Sequence, residues 1–342
     1  MTNYRVQSNV SEKEWERFLL KNNSGLFVQS SLSGQVHKKM GEDFSIIGVY
    51  KKNVLVGGSL VLFVHAKRGD FLLLPYGPIL DYQDTSMVGE FVGYIKKFGR
   101  AHGCDFVRIS PFVEDTSLHR ELLISLGLKK APMHVLAENT WILDTKKTES
   151  DIFSAMRKNH RNLIRRCEKN GVVVKKTTSP DALARLNEMH DVVAKRHKFH
   201  RFSRSFVENE FRIFSKKGKA YIFEAYLPDG RLDASAMIIF YNNMACYRHS
   251  ASLNQDRRLP TSYLIQWTVI KAVKKADLSL YNFWGVAPKN APKNHPFSGI
   301  THFKQGFGGE QKDLLPCMDL PLTKKYYMNW LIETFRRVKR GF

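Results

Sequence analysis

The sequence lacks the residue patterns of several common enzyme classes. No stretch matches GxxxxGK[ST], HExxH or CxxC, so no pattern indicates a P-loop nucleotide hydrolase or a zinc enzyme. Cysteines are few, and they are scattered singly at Cys104, Cys167, Cys246 and Cys317. Single cysteines without paired spacing predict reduced, buried thiols and neither disulfides nor a metal site. We expect no metal and no cofactor.

Long apolar runs are also missing. No run approaches the roughly 18 residues that a membrane-spanning helix requires. The N-terminus, MTNYRVQSNVSEKEWERFL, lacks the charged-then-apolar layout of a signal peptide. We therefore expect a cytoplasmic protein.

Acidic residues are under-represented. The chain has 32 Asp and Glu against 54 Lys and Arg, which gives a formal net charge of +22. A surface this positive attracts polyanions, so it predicts nucleic acid, anionic lipid or a phosphorylated substrate as a partner.

The 342 residues are enough for two domains with separate cores. Helical and strand patterns alternate through both halves, which favours an α/β or α+β fold. The polar stretch 145–151 is the predicted boundary. It separates a first domain of residues 1–145 plus 317–342 from a second domain of residues 146–316. The predicted helices are 11–22, 87–102, 118–126, 151–170, 181–197, 204–217, 260–276 and 322–342. The predicted strands are 44–50, 54–64, 71–75, 106–110, 141–144, 172–175, 220–227, 234–241, 244–250 and a strand from 280.

The predicted helix 151–170 is strongly basic. Arg157, Arg161 and Arg165 recur at one-turn spacing and should share one face, which Lys158 and Arg166 widen. Arginine at this spacing can bind successive phosphates of a nucleic acid. A solvated helix face is the alternative.

The segment Gly299–Gly309, sequence GITHFKQGFGG, holds a lysine between aromatic residues. One interpretation is a β-hairpin with a solvated Lys304. The other is that Phe303 and Phe307 withdraw Lys304 from water, where a cation stabilises developing negative charge more strongly.

Several segments, taken in order, resemble the FemABX family over essentially the whole chain. They are FVQSSLSGQVHKKMG at 27–41, LPYGPILDY at 74–82, VRISP at 107–111, EKNGV after the basic helix, KRHKFHRFSRSF at 195–206, YRHSASLNQDRRLPTSYLIQW at 247–267, LYNFWGV at 280–286 and FKQGFGG at 303–309. The resemblance implies two GNAT-like (N-acetyltransferase-like) acyltransferase domains, with a C-terminal segment that returns to the first. It also implies transfer of an amino acid from aminoacyl-tRNA to the stem-peptide amine of a peptidoglycan precursor. The chain is similar to compact members without the family's extra helical arm.

The resemblance also implies roles for individual residues. Lys304 matches the lysine at the reaction centre, where it would stabilise the oxyanion, and Phe303 would pack against the terminal nucleotide. His37 stands at the position of a precursor-binding lysine, with Lys38 beside it, and Ser33 replaces a tryptophan. Further substrate-binding positions are Arg201, Ser205, which replaces a tyrosine, Tyr247, and His249, which replaces a second tyrosine. The tRNA-binding positions are Arg157, Lys158, Arg161, Arg165 and Arg166.

The C-terminal helix 326–342 mixes aromatic and basic residues and has two interpretations. We favour packing of Trp330, Leu331, Phe335 and Val338 on the first domain. The alternative is peripheral contact with the anionic inner membrane leaflet.

Two other functions remain open on the sequence alone. One is an acyl-CoA-dependent N-acyltransferase, although no Q/R-x-x-G-x-G/A loop follows a strand. The other is a non-catalytic RNA-binding protein. Under the favoured interpretation, glycine, alanine and serine are candidate amino acids, the acceptor is nucleotide-linked or lipid-linked, and a monomer suffices. His190, His197 and His200 are expected to make loop or phosphate contacts in preference to binding a metal.

Overall fold

The computed structural model describes residues 3–66, 69–197 and 200–340. The chain divides into two compact units, each with its own seven-stranded sheet. The first unit consists of Met1–Asn22, Leu26–Glu138 and Asp313–Phe342. The second unit consists of Asn23–Gly25 and Asn139–Lys312.

The first unit carries helices against a sheet of strand order β1-β2-β3-β4-β5-β14-β6. Its strands are β1 (Tyr4–Gln7), β2 (Phe44–Lys51), β3 (Val54–Ala66), β4 (Gly69–Tyr76), β5 (Phe106–Pro111), β6 (Lys129–Lys130) and β14 (Met318–Pro321). Its helices are α1 (Glu12–Lys21), α2 (Ser31–Lys39), α3 (Thr85–Ala101), α4 (Ser117–Ser125) and α11 (Lys325–Arg340). Ser11 caps the start of α1, because its side chain accepts a hydrogen bond from the Glu14 amide at 3.2 Å.

The second unit has a sheet of strand order β13-β7-β12-β11-β10-β9-β8. Its strands are β7 (Asn139–Asp144), β8 (Val173–Thr177), β9 (Ala220–Tyr226), β10 (Leu232–Tyr241), β11 (Met244–Ser252), β12 (Leu280–Gly285) and β13 (Glu310–Asp313). Its helices are α5 (Glu149–Ala155), α6 (Lys158–Lys169), α7 (Pro180–His197), α8 (Arg204–Ser215), α9 (Thr261–Lys275) and α10 (Ser298–Gln305). Helix α9 contributes Leu264, Ile265 and Val269 to the core on one face of this sheet.

Each sheet contains a parallel pair, and the two pairs differ. In the first unit β4 and β5 stay paired over six positions, from Phe71 with Phe106 to Tyr76 with Pro111. In the second unit β11 and β12 pair only from Met244 with Leu280 to Cys246 with Asn282, although both strands continue. The second sheet therefore opens at the carboxyl ends of its parallel strands, which is where α/β sheets bind ligands.

The predicted domain boundary at residue 145 is misplaced. Strand β7, residues Asn139–Asp144, pairs with β12 and belongs to the second unit. The return to the first unit begins at Asp313, before the predicted residue 317. The chain changes sheets at strand residues, next to β7 and β13. The polar stretch 145–151 therefore does not mark the change from one sheet to the other.

The mixed α/β fold and the return of the C-terminal segment to the first unit are confirmed. The segment pairs β14 with β5 and continues into α11. Residues 341 and 342 of the predicted last helix lie outside the described residues. Within the described ranges, no helix is long and apolar enough to cross a bilayer.

Candidate active site

Lys304 lies on helix α10 and is buried, with 4% of its surface exposed. The predicted hairpin at 299–309 is therefore wrong, and the predicted withdrawal of Lys304 from water is correct. Its ammonium Nζ donates to the Gly285 carbonyl at 2.6 Å. Burial lowers the pKa of Lys304 to about 7, because desolvation penalises the charged form. At neutral pH this lysine is divided between amine and ammonium.

A buried histidine fixes α10 next to α6. The His160 Nε2–H donates to the Phe303 carbonyl at 2.9 Å, and its ring lies 4.9 Å from the Phe307 ring centroid. Burial lowers the pKa of His160, so the ring is neutral. A Cβ added at Gly306 would lie 1.9 Å from the His160 ring, so only glycine fits there. The contact explains one glycine of the FKQGFGG segment.

The remaining two glycines of that segment serve the backbone. Gly308 and Gly309 have φ of +81° and +88°, a region in which glycine is favoured. A Cβ on Gly309 would also lie 2.4 Å from the Ile142 carbonyl oxygen of β7. The chain can therefore leave α10 and enter β13 next to the strand that flanks β12.

Strand β12 ends in an unusual backbone conformation. Trp284 has φ of +67°, which is costly for a bulky side chain. The Asn282 side-chain oxygen accepts from the Trp284 amide at 2.7 Å and from the Thr140 hydroxyl at 2.6 Å. This buried asparagine holds the turn that presents the Gly285 carbonyl to Lys304.

An ionic cluster lies beside the Trp284 ring. The Arg248 guanidinium is 5.5 Å from the centroid of Trp284 and donates to the Glu210 carboxylate at 3.0 Å. Burial acts to raise the pKa of Glu210, but Arg248 and His249 outweigh it, and the net pKa is lowered. Burial lowers the pKa of His249, so this ring is neutral and donates from Nε2 to Glu210 at 2.8 Å.

A β-bulge separates the two positions that the resemblance pairs on β11. Tyr247 is opposite Ile238 and His249 is opposite Met237, so Arg248 is the extra residue. Tyr247 packs with the core on the α9 face, whereas His249 bonds to α8. The bulge therefore places Tyr247 and His249 on opposite faces of the sheet.

Arg201 and Ser205 lie on the same side as His249. Arg201 donates to Asp191 at 2.7 Å and to the Asn187 side chain at 2.9 Å. Ser205 is exposed and bonds to Ser203. Residues 198 and 199, which precede Arg201 in the KRHKFHRFSRSF segment, lie outside the described residues. The Asp191 carboxylate therefore orients the Arg201 guanidinium, and a second of its nitrogens bonds to Asn187.

The predicted single basic helix 151–170 is wrong, because Met156 is extended and separates α5 from α6. Arg157 directly precedes α6, and its side chain donates to the His302 ring at 3.0 Å. Arg161 donates to the carbonyls of Ser154 and Met156. These two arginines brace the helices around Lys304 and do not share a phosphate-binding face.

The other three basic positions remain at the surface. The Arg165 guanidinium lies 5.1 Å over the Phe153 ring centroid and is exposed. Lys158 and Arg166 are exposed, and neither side chain forms an ion pair within the described ranges.

The first unit holds His37 and Lys38 on α2. His37 Nδ1 lies 2.6 Å from Glu42 Oε2, and Lys38 is exposed near the end of the helix. Gln29, which begins the matched segment, is fully buried and donates to the Pro75 carbonyl at 2.6 Å. Its role is structural.

The second unit thus brings Lys304, Phe303 and Tyr247 to one face of its sheet and Arg201, Ser205 and His249 to the other. The sequence reasoning missed His160, Trp284, Glu210 and Arg248 as members of the site. A tryptophan directly before a glycine at a strand end was the available signal for Trp284. No group of three or more His, Cys, Asp or Glu that could hold a metal ion occurs in the described part of the chain.

Comparison with known proteins agrees with this architecture. The FemAB family model matches residues 10–124, and an acetyltransferase (GNAT) domain model matches residues 154–304. Aminoacyltransferase FemA of Staphylococcus epidermidis is 18% identical over 97% of this chain and 99% of the relative. The chain is therefore similar to FemABX aminoacyltransferases over nearly its whole length.

Two further matches point in the same direction. The lipid II:glycine glycyltransferase of Staphylococcus haemolyticus is 20% identical over 95% of this chain and 94% of its own. The crystal structure of FemX superposes with a TM-score of 0.84 at 17% identity, covering 96% of this chain and all of the other. The expected GNAT-like fold and acyltransferase activity are confirmed. A purely non-catalytic RNA-binding protein is not supported.

The FemA alignment runs over 420 positions, although this chain has 342 residues. The relative therefore carries segments that this chain lacks. This difference is consistent with a compact member.

Proposed function

We propose that this protein is a FemABX-type enzyme that transfers an amino acid from aminoacyl-tRNA to the stem-peptide amine of a peptidoglycan precursor. The observation that carries the proposal is the buried Lys304 at the open end of the β11–β12 pair, bonded to the Gly285 carbonyl at 2.6 Å. Two relatives are an aminoacyltransferase and a lipid II:glycine glycyltransferase by name, which supports this class of acceptor.

The chemistry requires proton transfer and charge stabilisation. An aminoacyl ester is already activated, so the attacking amine needs orientation, loss of its proton and a stabilised oxyanion. A lysine with a pKa of about 7 can take a proton from the attacking ammonium and return it to the departing ribose oxygen. In its charged form the same lysine stabilises the tetrahedral oxyanion.

The donor is proposed to lie across α6 and α10. Phe303 is partly exposed beside Lys304 and can stack on the terminal nucleotide. Lys158, Arg165 and Arg166 would contact tRNA phosphates by charge. Arg157 and Arg161 would act by holding α10 and α5 in place.

For the acceptor, Lys38 and His37 are the proposed diphosphate-binding positions of the first unit. In the second unit, Arg201 is the proposed position for an acceptor phosphate or carboxylate. A lipid-linked precursor is favoured by the glycyltransferase relative, and it implies peripheral contact with the inner membrane leaflet. Glycine is the first candidate amino acid for the same reason, ahead of alanine and serine. A monomer suffices for this mechanism.

An acyl-CoA-dependent N-acyltransferase is the second candidate. The GNAT domain match over residues 154–304 favours it, because the open parallel pair could equally admit that donor.

The test is transfer of radiolabelled amino acids from a charged tRNA pool to nucleotide-linked and lipid-linked pentapeptide precursors, with acetyl-CoA assayed in parallel. Label on one precursor, lost in Lys304→Ala and kept in the exposed control Lys312→Ala, would support the proposal. Equal transfer by Lys304→Ala would show that Lys304 is not needed for catalysis. Transfer from acetyl-CoA alone would show that the donor is an acyl-CoA and not aminoacyl-tRNA.

A further inference from the structure

Helix α11 presents an apolar stripe to solvent. Met328, Leu331, Phe335 and Val338 recur at intervals of three and four residues, so they lie along one face. Their exposed fractions are 52%, 63%, 71% and 72%. The favoured sequence interpretation is therefore wrong for Leu331, Phe335 and Val338, whereas Trp330, the fourth residue that it named, is partly buried.

The opposite face of α11 is fixed within the first unit. Tyr326 and Asn329 are buried on that face. The buried Arg108 guanidinium of β5 donates both to Asp319 of β14 at 2.7 Å and to Glu333 of α11 at 2.7 Å. Rotating the stripe inward would break this buried ion pair, which is strongly unfavourable. The outward direction of the stripe is thus built into the fold.

The charges around the stripe are of one sign. Glu333, the single acidic residue of α11, lies on the buried side of the helix and forms an ion pair with Arg108. Arg336, Arg337 and Lys339 are exposed on the helix. Lys129 of β6 adds a cation beside Tyr327, with its Nζ 3.3 Å from the phenol oxygen. An apolar stripe bordered by cations complements a surface that is apolar inside and anionic outside.

We propose that α11 is an interfacial helix that docks the protein on an anionic lipid bilayer. The stripe would enter the boundary between headgroups and acyl chains, and Arg336, Arg337 and Lys339 would contact anionic headgroups. RNA offers no partner for the aliphatic side chains. A second copy of the same helix would bring like charges together. The docking itself does not depend on the proposed function. Its purpose, to bring the enzyme to a lipid-linked acceptor, rests on the proposed function.

The test is co-sedimentation with vesicles of phosphatidylcholine alone and of phosphatidylcholine mixed with phosphatidylglycerol, without substrate. We expect binding to the anionic vesicles only, weakened about tenfold or more in the triple variant Leu331→Gln/Phe335→Gln/Val338→Gln. The matched control replaces three other exposed apolar residues of the first unit, Leu20, Leu118 and Ile124, by glutamine and should bind normally.

Other outcomes would overturn the docking proposal. These are no binding to anionic vesicles, an equal loss in the control, or self-association in sedimentation equilibrium that the stripe variant abolishes. Transfer assays separate this proposal from the proposed function. The stripe variant should keep transfer to a soluble nucleotide-linked precursor and lose transfer to a vesicle-borne one. Loss of both would mean that the stripe supports the fold instead.

Discussion

Replacing Lys304 by methionine should remove activity and, at neutral pH, stabilise the protein. Burial lowers the lysine pKa from 10.5 to about 7. With about 1.4 kcal/mol for each tenfold change in proton affinity, protonation at pH 7 favours the unfolded chain by about 4 kcal/mol. Methionine has a similar shape and no proton to lose.

The sign of the effect depends on pH. Below pH 7 both states hold the proton and the penalty is complete. Between pH 7 and 10.5 the unfolded chain binds more protons, so wild-type stability rises with pH. Lys304→Met also leaves the Gly285 carbonyl without its donor, at about 1–3 kcal/mol. The variant should therefore be about 1–3 kcal/mol more stable at pH 7 and less stable than wild type near pH 10.5.

Urea unfolding from pH 7 to 10.5 measures the free energy of unfolding of the wild type and of the variant at each pH. The exposed Lys312→Met is the control and should change neither this free energy nor its dependence on pH. A variant that is less stable than wild type at pH 7, with the same slope against pH, would refute the reasoning. Such a result would mean that the Lys304 ammonium reaches water or a counter-ion. Transfer activity should be lost at every pH.

Three further predictions concern the surroundings of Lys304. Gly306→Ala should destabilise the protein by about 1–3 kcal/mol and lower transfer, because the added methyl overlaps the buried His160 ring. The control is Gly299→Ala, where the added methyl meets open space, and thermal unfolding compares the two variants. Glu210→Gln should cost about 3–5 kcal/mol in urea unfolding because it removes the negative charge that pairs with the buried Arg248 guanidinium. The double variant Lys158→Gln/Arg166→Gln should weaken tRNA binding and reduce the slope of log affinity against log salt by about 1.5. If filter binding shows an unchanged slope, neither residue contacts a tRNA phosphate.

Hydrophobic periodicity and capping residues were enough to predict most elements of both sheets. The helix that Ser11 caps and the strand ending at Gly285 were correctly predicted, because local preference and burial agree there. The aromatic residues beside Lys304 indicated its burial as one of two interpretations of that segment. Those signals lie within a few residues of the feature that they predict.

The errors arose where tertiary contacts override local preference. Nothing local marks Met156 as extended, since the break lets α6 turn against α10. The bulge at Arg248 reverses the direction of His249, and an alternating pattern cannot show an inserted residue. The need for glycine at position 306 comes from a ring almost 150 residues earlier in the chain.

Each sheet has one parallel pair at its centre, and the two sheets differ at the ends of those strands. In the first unit the parallel pair remains closed along its length, so its strand ends leave no gap. In the second, Trp284 holds a costly backbone conformation and Lys304 a costly burial at the same strand end. Two unfavourable features that meet at one carbonyl are difficult to explain by stability. They are expected together if that carbonyl fixes the lysine for proton transfer. Lys304→Met should then separate the two requirements, since it would raise stability and end catalysis in one substitution.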